Sequence, residues 1–113
     1  MNITAAQRAR WSRFPGIGCV ACRKDERFNF NTQAHHLNVG GKAGQKRRGH
    51  DETIPLCPWH HQALPPQGKT QAWATEYMGP SLALSSKAFR ARYGTDDELL
   101  AMTNELLTTF DRL

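Results

Sequence analysis

No stretch of this sequence approaches the ~20 consecutive apolar residues that a membrane-crossing helix requires, so no membrane role is expected. The opening Met-Asn-Ile-Thr-Ala-Ala lacks a basic start followed by an apolar run, and it does not read as a secretion signal. Cysteine is scarce and odd in number. Three such residues cannot all pair internally, and two sit at metal-ligand spacing, which favours a reducing interior over an export route. Acidic residues are outnumbered, ten against fifteen Lys and Arg, leaving a formal net charge of +5. That balance favours an acidic polymer as partner, although a merely basic protein fits the charge equally well. At 113 residues the chain reads as one domain, of a size at which a structural metal commonly supplements a modest core.

What is present begins with those cysteines. Cys19-Val-Ala-Cys22 and Cys57-Pro-Trp-His60 are two short-spaced pairs of thiolate and imidazole donors. One tight turn can aim two side chains at a single ion, so the four residues are expected to hold a structural zinc ion. The alternative is that the cysteines are simply small buried residues and His60 is incidental. A closed site of this type contributes to folding and not to turnover.

Along the chain, Thr4 and Gln7 resemble a capping box opening a short helix toward Trp11 that ends before Pro15. Residues 28–37 read as an extended segment ending in Ala34-His35-His36-Leu37. The stretch from Asn38 to Gly49 is rich in glycine and in basic residues and suits an exposed loop. Residues 53–57 read as a second strand, with Pro55 favouring an edge. Pro58 fits the first turn of a helix carrying Trp59, His60, His61 and Leu64, stopped by Pro65 and Pro66. Ser85 or Ser86 can cap a helix over Lys87–Tyr93 closed by Gly94. Thr95 and Glu98 form a second capping box, opening a helix to about Phe110 whose Leu99, Met102, Leu106 and Phe110 make an apolar packing stripe. This helical tail is the expected place for a protein partner.

Three histidines flank the paired donors: His35 and His36 between the pairs, and His61 directly after the second. Neutral imidazole ligates divalent metals and titrates near neutral pH, so such a cluster suits metal binding and proton transfer alike. On a regular strand adjacent residues face opposite ways, so one of His35 and His36 can hold a metal while the other faces a scissile phosphate, with a local bulge if required. Any one of them alone has a mundane alternative.

The run His35-His36 followed by Cys57-Pro58-Trp59-His60-His61 resembles the ββα-metal (HNH) nuclease finger. The longer string Ala34-His35-His36-Leu37, Arg48-Gly49-His50 and residues 53–61, with residues 89–94 and Glu98-Leu99-Leu100 downstream, resembles the phage recombination-enhancement, RecA-dependent nuclease family. The likeness covers the chain from Cys19 to about Leu107. It implies an α+β fold: one domain over residues 1–113, with an N-terminal helix (1–18), a zinc-stabilised ββα core (19–64) and C-terminal helices (85–113). It implies that Cys19, Cys22, Cys57 and His60 hold structural zinc, that His35 and His61 ligate a catalytic divalent metal, and that His36 is the general base. Two departures stand out. Glu52 occupies the place of the family's asparagine, about five residues before Cys57. Pro65 falls where another ligand often follows. A third protein ligand is therefore assigned to His50 or Asp51, with waters completing the sphere.

The implied activity is metal-dependent DNA endonuclease action in the cytoplasm of a bacterial host, encoded by a phage or prophage and linked to a RecA filament. Magnesium or manganese is the expected catalytic ion, and an imidazole-rich site also accepts nickel or zinc. General-base catalysis by His36 is worth typically ~10²–10⁴-fold. Lys42, Lys46, Arg47 and Arg48 lie on the loop between the histidine segments, placed to grip phosphates with weak sequence preference, and a solvated loop is the alternative. Arg8, Arg10, Arg13, Arg23, Lys24 and Arg27 are secondary candidates, and Trp11, Trp59 and Trp73 are expected to pack. The rival readings are a non-catalytic zinc module that binds DNA and a zinc-stabilised adaptor.

Overall fold

A computed structural model describes residues 3–38 and 48–112. Thr4 caps α1 (Ala5–Ser12) in the expected box with Gln7, each residue's side chain bonding the other's backbone N–H. Pro15 then falls in the first turn of a separate short helix, α2 (Phe14–Ile17). Cys19 is the N-cap of α3 (Val20–Lys24).

The extended region is shorter than its sequence suggests. Only β1 (Gln33–His36) pairs, antiparallel to β2 (Thr53–Leu56), with Gln33 opposite Leu56 and His36 opposite Thr53. Pro55 faces Ala34 in this two-stranded sheet, where no further strand among the described residues needs its missing donor. Leu37 closes the base of the connection from both sides: its N–H donates to Glu52 O, and its O accepts from Arg48 N. β2 runs directly into α4 (Pro58–Gln62), which has Pro58 in its first turn and ends at Ala63 in the left-handed region (φ 57°).

Beyond the prolines lies a helix the sequence reading did not include, α5 (Gln71–Met78), capped by the Thr70 hydroxyl. Ser85 caps α6 (Ser86–Tyr93), and the Thr95–Glu98 box opens α7 (Asp96–Phe110). α7 packs against β2 and α2. Its buried line is Leu99, Thr103 and Leu107, with Met102, Leu106 and Phe110 on the flanks, a rotation from the expected stripe. Thr103 is tolerated in the core because its hydroxyl donates to Leu99 O. Buried Asp96 is held by Arg90.

The main core joins Val20, Leu37, Ile54, Leu56, Trp59, Phe89, Tyr93 and Leu99 around the three cysteines. No helix among the described residues is long and apolar enough to cross a membrane.

Candidate active site

The four metal donors come from the starts of two helices. Cys19 and Cys57 sit at the N-caps of α3 and α4, and Cys22 and His60 lie one turn further on. Positions i and i+3 share a helix face, so each pair converges, and the orphan N–H groups at helix starts favour thiolate. The Cys22 N–H indeed points to Cys19 Sγ at 3.4 Å.

Around a zinc ion with bonds of ~2.3 Å to sulfur and ~2.0 Å to nitrogen, tetrahedral ligands stand about 3.5–3.8 Å apart. Here His60 Nδ1 lies 3.7 Å from Cys19 Sγ, 3.5 Å from Cys22 Sγ and 3.2 Å from Cys57 Sγ, and the Cys22–Cys57 sulfur separation is 3.9 Å. All four residues are buried and their donor atoms lie within 4.8 Å of one another. This buried Cys3His set fits a structural metal such as zinc.

A second layer holds His60 in the required tautomer. Its Nε2 meets Met78 O at 2.8 Å and Tyr93 Oη at 3.1 Å. A carbonyl only accepts, so Nε2 carries a proton, and Nδ1, which faces the sulfurs, is the atom left to ligate a metal once the ring is neutral. Tyr93 Oη donates in turn to Asp25 Oδ2 at 2.7 Å, and Arg92 pairs with the same carboxylate. Burial, with Asp25 beside it, pushes the Tyr93 phenol up.

The metal-free cluster stores protons unequally. Burial opposes a charged His60, but hydrogen bonds to Cys19 and Cys57 and their charge outweigh it and hold its pKa up at about 10. The neighbouring Cys19 and Cys57 sulfurs push the Cys22 thiol up. Hydrogen bonds from Cys19 and Cys22 bring Cys57 down.

The remaining histidines form two pairs. His35, on β1, meets His61, on α4, edge to face with ring centroids 5.0 Å apart. His61 Nδ1 lies 2.7 Å from Gln33 Oε1, two residues before His35 on the same strand. His36 turns to His50: Nε2 and Nδ1 are 2.8 Å apart, and the Trp11 ring meets both imidazoles edge-on at 5.8 and 5.4 Å. The Trp11 indole N–H donates to Thr53 Oγ1, and Arg10 binds Thr53 O at 2.7 Å, fastening α1 across this pair. Alternation along β1 accounts for the split.

Among the described residues, no third His, Cys, Asp or Glu joins His35 and His61 in a donor cluster. His50 packs with His36, and Asp51 is exposed. Of the basic loop, Lys42, Lys46 and Arg47 lie outside the described residues. Arg48 is half-buried between carboxylates, 2.7 Å from Asp97 and 3.4 Å from Glu52, and its Nε donates to Asn38 O. Glu52 is thus a partner of Arg48. Gln33 was absent from the sequence reading. Its signal is the period of two with His35, which places both on one face of the strand.

A family model described as recombination enhancement, RecA-dependent nuclease matches residues 3–108. The match runs from the cap of α1 into the last turns of α7 and takes in the Cys3His cluster and both histidine pairs, and the chain belongs to that family.

Proposed function

We propose that this chain is an HNH-type, metal-dependent DNA endonuclease that hydrolyses phosphodiester bonds during recombination on DNA engaged by RecA. The observation that carries the reading is the meeting of His35 and His61, from strand and helix, on a frame closed by the buried Cys3His set. The order strand, strand, helix over Gln33–Gln62 supports a ββα-metal finger.

In this reading His35 and His61 hold the catalytic cation, with water completing its sphere. Two imidazoles suit manganese, nickel or zinc as well as magnesium. When bound, the ion supplies charge stabilisation for the phosphoryl oxygens and the departing alkoxide. His36 withdraws a proton from the attacking water. Its contact with His50 orients the ring and spreads the charge it gains, and Trp11 shields the pair from bulk solvent. The two pairs flank the β1 backbone, so the scissile phosphate lies along the outer edge of that strand. Lys42, Lys46 and Arg47 grip the flanking phosphates, with binding that weakens steeply as salt rises, while Arg48 anchors the end of their loop.

The test is incubation of wild type, His35→Ala and His36→Ala with supercoiled and single-stranded circles, with and without manganese and RecA. His36→Ala is expected to keep zinc, manganese and DNA binding while losing ~10²–10⁴-fold in cutting rate. His35→Ala is expected to lose manganese as well. A His36→Ala protein that cuts like wild type removes the base assignment. A wild type that cuts in no condition removes the nuclease reading and leaves a zinc module that binds DNA or a protein.

A further inference from the structure

Arg27-Phe28-Asn29-Phe30-Asn31-Thr32 joins α3 to β1 as irregular, extended chain. Phe28 and Phe30 are 66% and 53% exposed, and their rings lie parallel within 11°, centroids 6.4 Å apart. Two phenyl rings aligned and left to water in so small a domain are an unspent apolar surface. Cationic groups accompany them. The Arg23 guanidinium stands 5.2 Å over the Phe28 ring, Arg27 is fixed through Tyr77 O, and neither arginine makes an ion pair among the described residues.

The alternate residues of the same segment, Asn29 and Asn31, line a cleft of about 260 Å³ with Gln67, over Pro58, Leu64 and Pro65. Its amides can donate to and accept from the edge of a base. The segment then continues straight into Gln33, which bonds His61. Phe30, three residues earlier, is therefore within ~10 Å of chain from that contact.

We propose that Phe28 and Phe30 form a stacking platform for unpaired bases of a single DNA strand, delivering that strand to the histidine site. Every base has a π face, and aromatic rings interleaved with arginines suit a strand whose bases are not hidden in a duplex. The chain's net positive charge complements the same partner. This rests on the nuclease reading for what the platform serves, but it is tested by binding alone.

The experiment measures fluorescence anisotropy of a labelled mixed-sequence oligonucleotide, its duplex, and the same strand with abasic sites, in buffer without added divalent metal. The proteins are wild type, Phe28→Leu/Phe30→Leu and Phe28→Trp/Phe30→Trp, each checked for zinc content. The leucine variant is expected to bind the single strand at least about 5-fold more weakly per ring lost, with duplex binding unchanged and the tryptophan variant restored. Wild type should bind the abasic strand as weakly as the leucine variant binds the normal one. Equal single-strand binding by wild type and the leucine variant overturns the platform. So does an equal fall for duplex, which marks a wedge into paired DNA, or a tryptophan variant no better than leucine, which marks a surface shaped for a protein. A platform that fails beside intact cutting leaves the nuclease reading standing. Ring-dependent binding by a chain that never cuts does the reverse.

Discussion

His61 donates its Nδ1 proton to Gln33 Oε1 across 2.7 Å, which leaves Nε2 with the lone pair a metal requires. The bond joins the strand that carries His35 to the helix that carries His61, so one amide fixes both the tautomer and the distance between the proposed ligands.

Gln33→Ala should therefore weaken manganese binding by about 10–100-fold, the usual effect of losing an outer partner of a ligating histidine. Zinc content should stay unchanged, because the Gln33 side chain bonds His61 and not one of the four zinc donors. Isothermal titration with manganese on protein of verified zinc content checks this, and undiminished manganese affinity contradicts it.

Zinc uptake by the metal-free cluster should release protons near pH 7, from His60 and Cys22 among its ligands, because ligands must be deprotonated to bind. His60, with its pKa held up at about 10, is charged at that pH, and the raised Cys22 thiol keeps its proton, whereas Cys57 is already thiolate. Apparent affinity should rise with pH, and less steeply above about 10, where His60 releases its proton unaided. Without metal, the contribution of His60 to stability has the opposite sign. It is complete below the ordinary histidine range and fades as pH climbs through about 10. Indicator-dye titration of released protons tests the first statement, and release of fewer than one proton contradicts it.

Local signals were the legible ones. Both capping boxes, the proline start of α4 and the serine cap of α6 lie within three residues of their partners, so sequence spacing alone determines them. The Cys3His set was legible for the same reason, since each half is a single helical turn. Non-local pairings were not. His50 meets His36 only because the chain returns across fourteen positions, and nothing in the sequence separates it from a ligand of His61. The first strand stops at Gln33 because β2 offers four partners before Cys57 must open a helix. α5 was missed although Trp73, Ala74, Tyr77 and Met78 recur at helical spacing and Thr70 and Gly79 bracket it as start and stop, because the stripe is only two turns long. Thr103 took a core position that hydropathy reserves for apolar residues, which its hydroxyl bond to Leu99 O makes tolerable.

Gly79→Ala should destabilise the protein by about 2 kcal/mol or more. Gly79 has φ +86°, where a side chain carries a steric penalty of roughly 1–2 kcal/mol, and the added methyl would collide with the Tyr93 hydroxyl. That hydroxyl supports His60 and Asp25, and Gly79 O accepts the Trp59 indole N–H. Urea denaturation of zinc-loaded protein measures the loss, and an unchanged midpoint contradicts this account of the turn.

The central claim is that imidazoles from β1 and α4 hold the ion that cuts DNA. It is tested most directly by the cleavage rate of supercoiled plasmid by His61→Ala in manganese with RecA filaments present, on protein shown to carry one zinc per chain. The account predicts an intact zinc site and no cutting above background. Cutting at the wild-type rate by that variant would contradict it.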